Sequence, residues 1–379
     1  MPFQLDSDQE MIRLMAREFA KKELEPFARQ RDHEKIFPED VIRKMGELGL
    51  MGMMVPSEYG GSEAGTVSYC LALQEIAYAC ASTATTMSMS NLVTDPLLRY
   101  GNEDQKQKYL QPLAAGETLG AFALTEPEAG SDTGGTRTRA EHKSDSYVIN
   151  GTKSFVTNGA YADVMILIAR SDPDKSHRGL SAFIVEKDFP GVTIGPGEAF
   201  MGLKASNTVE LRFEECIVPK ENLLGKEGNG FKIAMATLDS GRIGTAAQAI
   251  GIAKACLDEA TEHAKNRKQF GKLIGSFQAI QWMIADTATE IEAASWLTIN
   301  AAARKDRGLS FTKESSMAKL YASETANRAA HRALQIHGGY GYIKEYKVER
   351  LYRDARATTV YDGTSEIQRL VIARNVLKD

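Results

Sequence analysis

Tyr147-Val148-Ile149-Asn150-Gly151-Thr152-Lys153-Ser154-Phe155-Val156 sets a strand pattern at the centre of a chain that reads as helix at both ends. Two β-branched and aromatic runs flank an Asn-Gly pair. Asn-Gly supplies the positive φ angles of a tight type I′ turn, so the stretch predicts a β-hairpin. Strand-like runs follow at 164–170, 180–186 and 208–213, and turn clusters such as Ser171-Asp172-Pro173-Asp174 and Gly195-Pro196-Gly197 separate them. The β texture extends from about Leu119 to Leu224. Before it, Met11, Leu14, Met15 and Phe19 have helical spacing, Pro38 opens a segment through Val41, Met45 and Leu48, and Thr66 to Thr86 reads as one buried helix. Gly60-Gly61 breaks that pattern. After the β block, Ile243, Ala247, Ile250, Lys254, Leu257 and Thr261 share one helix face. Further stripes at 276–304, 311–337 and 364–377 predict a bundle of four long helices. The order α, β, α predicts a multidomain α+β chain rather than alternating βαβ units. The expected parts are an N-terminal helical domain over 1–117, a middle β-domain over 118–226 and a C-terminal helical bundle over 227–379.

Composition narrows the function classes. The 379 residues are 43% hydrophobic and 25% charged with a formal net charge of −4, which points away from a nucleic-acid surface. The longest apolar runs, such as Val164-Met165-Ile166-Leu167-Ile168-Ala169, are too short to span a bilayer. Met1-Pro2-Phe3-Gln4-Leu5-Asp6 has neither the basic head nor the apolar core of a signal peptide. The four cysteines are scattered and the six histidines lack ligand spacing, so the expectation is a reduced, cytoplasmic protein with no metal site. No GxGxxG opens a βαβ unit, which argues against a nicotinamide-binding Rossmann fold.

Three runs carry candidate chemistry. Ala123-Leu124-Thr125-Glu126-Pro127-Glu128-Ala129-Gly130-Ser131-Asp132-Thr133-Gly134-Gly135 leads from an apolar strand into a loop rich in hydroxyls and backbone N–H groups. It is either a surface loop or a cradle for an anionic or carbonyl ligand. Gln335-Ile336-His337-Gly338-Gly339-Tyr340-Gly341-Tyr342 ends a helix at its glycines, as a helix C-terminus favours; it reads as a helix end with a turn, or as a cofactor contact. In Val360-Tyr361-Asp362-Gly363-Thr364-Ser365-Glu366-Ile367-Gln368, Asp362 is either a turn or capping residue, with a helix starting near Thr364, or a catalytic acid.

The order and spacing of the three runs, with the α–β–α texture between them, resemble the acyl-CoA dehydrogenase family over essentially the whole chain. The likeness is to its short-chain, butyryl-like branch. It implies α,β-dehydrogenation of an acyl-CoA thioester: a carboxylate takes the α-proton while a hydride leaves the β-carbon for flavin N5. Hydrogen bonds from the base residue's N–H and a ribityl hydroxyl stabilise the charge on the thioester oxygen. It further implies one FAD per subunit between the β-domain and the bundle, a homotetramer built as a dimer of dimers, and electron-transferring flavoprotein as acceptor. Phe122, Leu124, Thr125, Gly130, Ser131, Phe155 and Thr157 match flavin-contacting positions, with Phe155 expected to stack on the isoalloxazine. Arg267, Phe270 and Gln278 match the pyrophosphate segment, where arginine's planar fork suits phosphate oxygens. Gln335, Gly338 and Gly339 match the part that closes on FAD from a neighbouring subunit, and Thr364 and Glu366 match further FAD contacts. Ser131, Asp239 and Arg242 match contacts to the pantetheine and adenine regions of the substrate, with Asp362 and Gly363 at its reacting end.

The chain departs from the family at the acid. Glutamate is expected where Asp362 stands, and the alternative position that carries glutamate in some relatives is Gly241 here. The resemblance therefore assigns the base to Asp362, retracted by one C–C bond of about 1.5 Å. That retraction suits a branched or ring thioester such as cyclohexane-1-carboxyl-CoA, as in alicyclic acid degradation; a straight-chain butyryl-like substrate is the alternative. Asp95, in Asn91-Leu92-Val93-Thr94-Asp95-Pro96, is a second acid, either reaching the substrate beyond its α-carbon or capping a helix or turn at Pro96. Outside this chemistry, the competing class is a non-catalytic flavoprotein or assembly partner.

Overall fold

The computed structural model describes residues 5–378; Met1 to Gln4 of the N-terminal reading and Asp379 lie outside the described residues. The N-terminal part is helical: α1 (Ser7–Phe19), α2 (Ala28–Glu34), α3 (Glu39–Glu47), α4 (Gly65–Ala79), α5 (Ala81–Tyr100), α6 (Glu103–Gln105) and α7 (Gln111–Ala115). Asp6 caps α1 in a reciprocal box with Gln9, and Pro38 stands at the start of α3. Part of the apolar spacing in α1 buries: Met15 and Phe19 pack half-buried against the core beside Ala16, while Met11 and Leu14 are exposed. The single helix expected over 66–86 is two helices, because Cys80 is extended at φ −150°, ψ 101° and turns the chain between α4 and α5.

The β-domain comprises β1 (Gly120–Ala123), β2 (Arg139–Lys143), β3 (Ser146–Thr157), β4 (Val164–Arg170), β5 (Leu180–Glu186), β6 (Val192–Gly197), β7 (Thr208–Pro219) and β8 (Leu223–Leu224). They form one mixed sheet in the order β6-β7-β3-β2-β4-β5-β8, with β1 parallel to β4. On β4, Val164, Ile166 and Ile168 face the core shared with α5 and the bundle, while Met165, Leu167 and Ala169 face the core inside the β-domain. A run apolar on every residue is therefore buried on both faces.

The hairpin expected at Asn150-Gly151 is absent: β3 runs straight through the pair and stays paired with β7. The register shifts between Ile149 and Gly151, which marks a β-bulge. The Asn150 side chain occupies itself there, donating to Glu215 Oε1 and accepting from the Glu215 N–H, each at 2.8 Å. Gly151 is needed for close approach, since a Cβ would stand 2.5 Å from Thr138 Oγ1. The tight turn lies earlier, at Ser144 (φ +51°), between β2 and β3.

The C-terminal part contains α8 (Gly230–Asn266), the short strands β9 (Lys268–Gln269) and β10 (Lys272–Leu273), then α9 (Gln278–Asp306), α10 (Thr312–His337), α11 (Lys347–Ala357) and α12 (Ser365–Val376). Three helices are long; the fourth expected stripe is the short α12, with α11 before it. The 37-residue α8 is rich in Ala and Gly and buried on most sides, as expected of a helix at the centre of a core. One apolar core joins the N-terminal helices to this bundle. No helix among the described residues is long and apolar enough to cross a membrane, and none of their His, Cys, Asp and Glu side chains form a group that could hold a metal ion.

Candidate active site

Asp362 sits on the loop between α11 and α12 in the left-handed region, at φ +52°, and Gly363 follows at φ +86°. Its half-buried carboxylate accepts a hydrogen bond from Thr245 Oγ1 on α8 at 2.6 Å. One turn earlier on α8, a Cβ added to Gly241 would stand 3.4 Å from Asp362 Oδ2 and 3.0 Å from Leu92 Cδ1 on α5. Positions 241 and 362 therefore converge on one spot, although they lie far apart in sequence. An acid on either element would face the same space.

Two buried cations flank this carboxylate. Arg242, only 4% exposed, donates from Nη1 to Asp239 Oδ1 at 2.5 Å and to Ser316 Oγ at 3.3 Å. Arg242, expected at the adenine and pantetheine regions of the substrate, lies buried near the Asp362 carboxylate, held by Asp239. Burial raises the Asp239 pKa above the ordinary carboxylate value, against the opposing pull of Arg242. Lys319 on α10 is fully buried and donates to the Gly363 carbonyl at 2.8 Å. Burial lowers its pKa to about 8, against the opposing pull of Asp362. Neither Lys319 nor Thr245 was singled out from sequence. The one available signal was a lysine inside the alanine stripe of α10.

Asp95 is not a cap. Pro96 lies inside α5, so Asp95 is a residue of the helix interior. Its carboxylate pairs with Lys305 Nζ at 2.9 Å and Arg99 Nε at 3.1 Å, and accepts from Ser240 Oγ at 3.1 Å. These partners tie α5 to α8 and α9.

The loop after β1 is held by a buried ion pair. Lys153 Nζ donates to Glu126 Oε1 at 2.7 Å and to the Leu124 carbonyl at 2.8 Å. Glu126 also accepts from the backbone N–H groups of Arg137 and Thr138. Burial pushes Glu126 up, but the Lys153 charge and these hydrogen bonds outweigh it and leave the carboxyl below its usual range. Burial brings Lys153 down to about 8. The Phe122 and Leu124 side chains are core residues, leaving only their backbone to face a ligand. The Ser154 N–H donates to the Thr125 carbonyl at 2.8 Å, which sets Thr125 against the strand segment that carries Phe155. Phe155 is 59% exposed at φ +56°, and Gly130 and Ser131 are exposed nearby in sequence. Thr364 is the N-cap of α12, accepting from the Ile367 N–H, and Glu366 is exposed in its first turn.

A second group lies at the far end of α8. Arg267, Gly338 and Gly339 line a cavity of about 460 Å³ together with His263, His337 and Tyr340. The Arg267 guanidinium lies over the Tyr340 ring, 5.3 Å from its centroid. Phe270 is 92% exposed, and Gln278 and Gln335 are exposed at the start of α9 and the end of α10. At 1.5 Å per residue, Arg267 is about 33 Å along the α8 direction from Thr245. The structure thus divides the candidate residues into two groups, one near the middle of α8 and one at its C-terminal end.

The chain is an α–β–α protein with a loop carboxylate set against a central helix, and the comparisons fix the family. The descriptions "Acyl-CoA dehydrogenase, N-terminal domain", "middle domain" and "C-terminal domain" match residues 6–117, 121–216 and 228–377. The chain is 50% identical to an acryloyl-CoA reductase (NADH) of Anaerotignum propionicum, covering 100% of this chain and 96% of that one. It resembles the butyryl-CoA dehydrogenase of Megasphaera elsdenii with a TM-score of 0.98 and 45% identity over the full length of both chains. A chain solved under the description "Electron transferring flavoprotein of Acidaminococcus fermentans" gives a TM-score of 0.99 at 48% identity, also over both full lengths. The chain belongs to the acyl-CoA dehydrogenase family. Its cofactor is FAD. The surfaces present suit that group: Phe155 and Phe270 offer exposed rings, Arg267 an exposed guanidinium, and Gly130, Gly338 and Gly339 have nothing within 4 Å of where a Cβ would stand. Glycine there lets a phosphate or ring approach the backbone.

Proposed function

We propose that the chain α,β-dehydrogenates a short acyl-CoA thioester to the 2-enoyl-CoA, with Asp362 as the base. The observation that carries this reading is the convergence of Asp362 on Gly241 and Thr245 between two buried cations. Asp362 takes the α-proton, its peptide N–H faces the thioester oxygen, and the walls of α5 and α8 keep water from the carboxylate. A water-poor, fixed set of donors favours charge that develops in the transition state. FAD, when bound, supplies the hydride acceptor. Thr125, Phe155 and Thr157 hold its flavin end. Arg267, Phe270, Gln278, Gln335, Gly338 and Gly339 serve its other end from a neighbouring subunit.

The division along α8 supports that assignment. About 33 Å along α8 separates Arg267 from Thr245, which supports a site completed from two chains. Two-fold pairing would complete each site with the partner's glycines, and a homotetramer follows from a dimer of such dimers. Light scattering is expected to give four chains with FAD bound; a monomer that retains FAD would overturn this arrangement.

The electron acceptor is proposed to be electron-transferring flavoprotein, supported by the likeness to the Acidaminococcus chain. The Megasphaera relative supports a straight butyryl-like acyl group. A second substrate reading rests on the shortened acid, which leaves room for a branched or ring α-carbon such as that of cyclohexane-1-carboxyl-CoA. Anaerobic bleaching of the flavin by butyryl-, isobutyryl- and cyclohexane-1-carboxyl-CoA separates the two. Butyryl-CoA is expected to bleach it, and Asp362→Glu is expected to speed bleaching by butyryl-CoA while slowing that by the ring thioester. A base displaced by about 1.5 Å can alter the rate on the order of 100-fold. Bleaching by none of the three would leave the non-catalytic flavoprotein reading in place.

A further inference from the structure

Lys319 is a fully buried lysine in the alanine-rich face of α10, with Ala318 and Ala322 beside it in the core. Removing an ammonium from water is unfavourable unless partners inside the protein compensate it. Here it donates to one carbonyl, that of Gly363, at 2.8 Å. Gln368, also fully buried, donates from the same Nε2 to the Gly363 carbonyl at 2.8 Å and to the Asp362 carbonyl at 3.0 Å. Two interior side chains therefore fix both peptide planes that follow Asp362. A Cβ at Gly363 would stand 2.7 Å from Gln368 Nε2, so glycine is required for that grip.

The segment being held is strained. Asp362 at φ +52° and Gly363 at φ +86° are successive left-handed residues. A non-glycine residue in that region is strained and persists where the surroundings determine it. The charged groups around the ammonium are Asp362 on the loop, Arg242 on α8, Glu324 on α10 and Glu366 on α12.

We infer that Lys319 is a positioning residue for the reaction, locking the left-handed Asp362–Gly363 turn from beneath so that the Asp362 carboxylate faces the substrate. This rests on Asp362 being the base. Lys319 touches neither the reacting atoms nor the carboxylate; it acts through the Gly363 carbonyl.

The test compares Lys319→Met, Lys319→Gln and Lys319→Arg holoenzymes by single-turnover anaerobic bleaching with the acyl-CoA that bleaches the wild type. Lys319→Met is expected to slow bleaching about tenfold or more at saturating substrate, with the dissociation constant changed by less than about threefold and FAD content unchanged. Lys319→Gln, which keeps a donor without the charge, and Lys319→Arg, which keeps both, are each expected to recover part of the rate. Bleaching by Lys319→Met at the wild-type rate per bound flavin overturns the inference. So does a loss confined to FAD content or substrate affinity. If Lys319→Met does not fold, Lys319→Gln decides: slower bleaching at unchanged affinity supports the inference, and the wild-type rate overturns it. Failure of the wild type to bleach would instead count against the proposed function.

Discussion

Asp362→Asn is expected to lose acyl-CoA-dependent bleaching by about 10²- to 10⁴-fold while keeping FAD bound, because an amide cannot take the α-proton. The substitution is nearly isosteric. Asn tolerates the left-handed backbone at φ +52°, and its side-chain oxygen still accepts from Thr245. The grip of Gln368 and Lys319 on the following carbonyls is backbone-directed and does not depend on the side chain at 362. Loss of rate with flavin content intact therefore isolates the acid itself. Gly241 offers no substitute base. Asp95 is a poor one, since its carboxylate is committed to Lys305, Arg99 and Ser240. A fully active Asp362→Asn protein would sink the assignment and return Asp95 to consideration. The measurement is stopped-flow flavin bleaching set beside the ratio of flavin to protein absorbance.

Lys153→Met is expected to give the largest loss of stability, about 3 kcal/mol, at the lower end of the usual range for breaking a buried ion pair. Lys153 is fully buried and Glu126 nearly so. The substitution leaves the Glu126 carboxylate in the interior without its cation and the Leu124 carbonyl without its donor. The backbone N–H groups of Arg137 and Thr138 continue to bond Glu126, which places the effect at that lower end. Adding Glu126→Gln to Lys153→Met should restore part of the loss. The amide is neutral, and its single oxygen still accepts from one of the two N–H groups, which bond different oxygens of the carboxylate. Urea unfolding of the four proteins in the double-mutant cycle measures this. Equal midpoints for wild type and Lys153→Met would show that the pair contributes nothing. Because the pair fixes the loop that carries Thr125, weaker FAD retention is expected to accompany the loss.

Local signals carried much of the architecture. Thr364 before Ser365-Glu366 reads as a helix start because a threonine hydroxyl can accept from the N–H three residues on, and it does so at Ile367. Gln335 to Gly339 reads as a helix end because glycine adopts the positive φ that stops α10, here +60° at Gly338. Both depend on contacts a few residues long. Asn150-Gly151 shows the limit of such reading. The pair has the right residues for a tight turn, but β7 and Thr138 decide its use, and they make it a bulge with a close backbone approach. Pro96 misled in the same way. A proline favours a break, yet packing on both sides keeps α5 continuous through it and buries Asp95 against the distant Lys305 and its own helix neighbour Arg99.

By itself the sequence determined the α–β–α order and the ends of α10 and α12, and the three motif runs pointed to the family. Hydrophobic period and capping chemistry act within a few residues, so they are written locally. Only the tertiary structure brought Thr245 to Asp362 across 117 residues and set the unsubstituted Gly241 against the same carboxylate. It also placed Lys319 under Gly363, paired Asp95 with Lys305, and put Arg267 at the C-terminal end of α8, away from the Asp362 carboxylate near its middle. The physical reason is that buried charges find their partners through packing. A lysine in an alanine stripe has no meaning until the fold supplies the carbonyl and the carboxylate that face it.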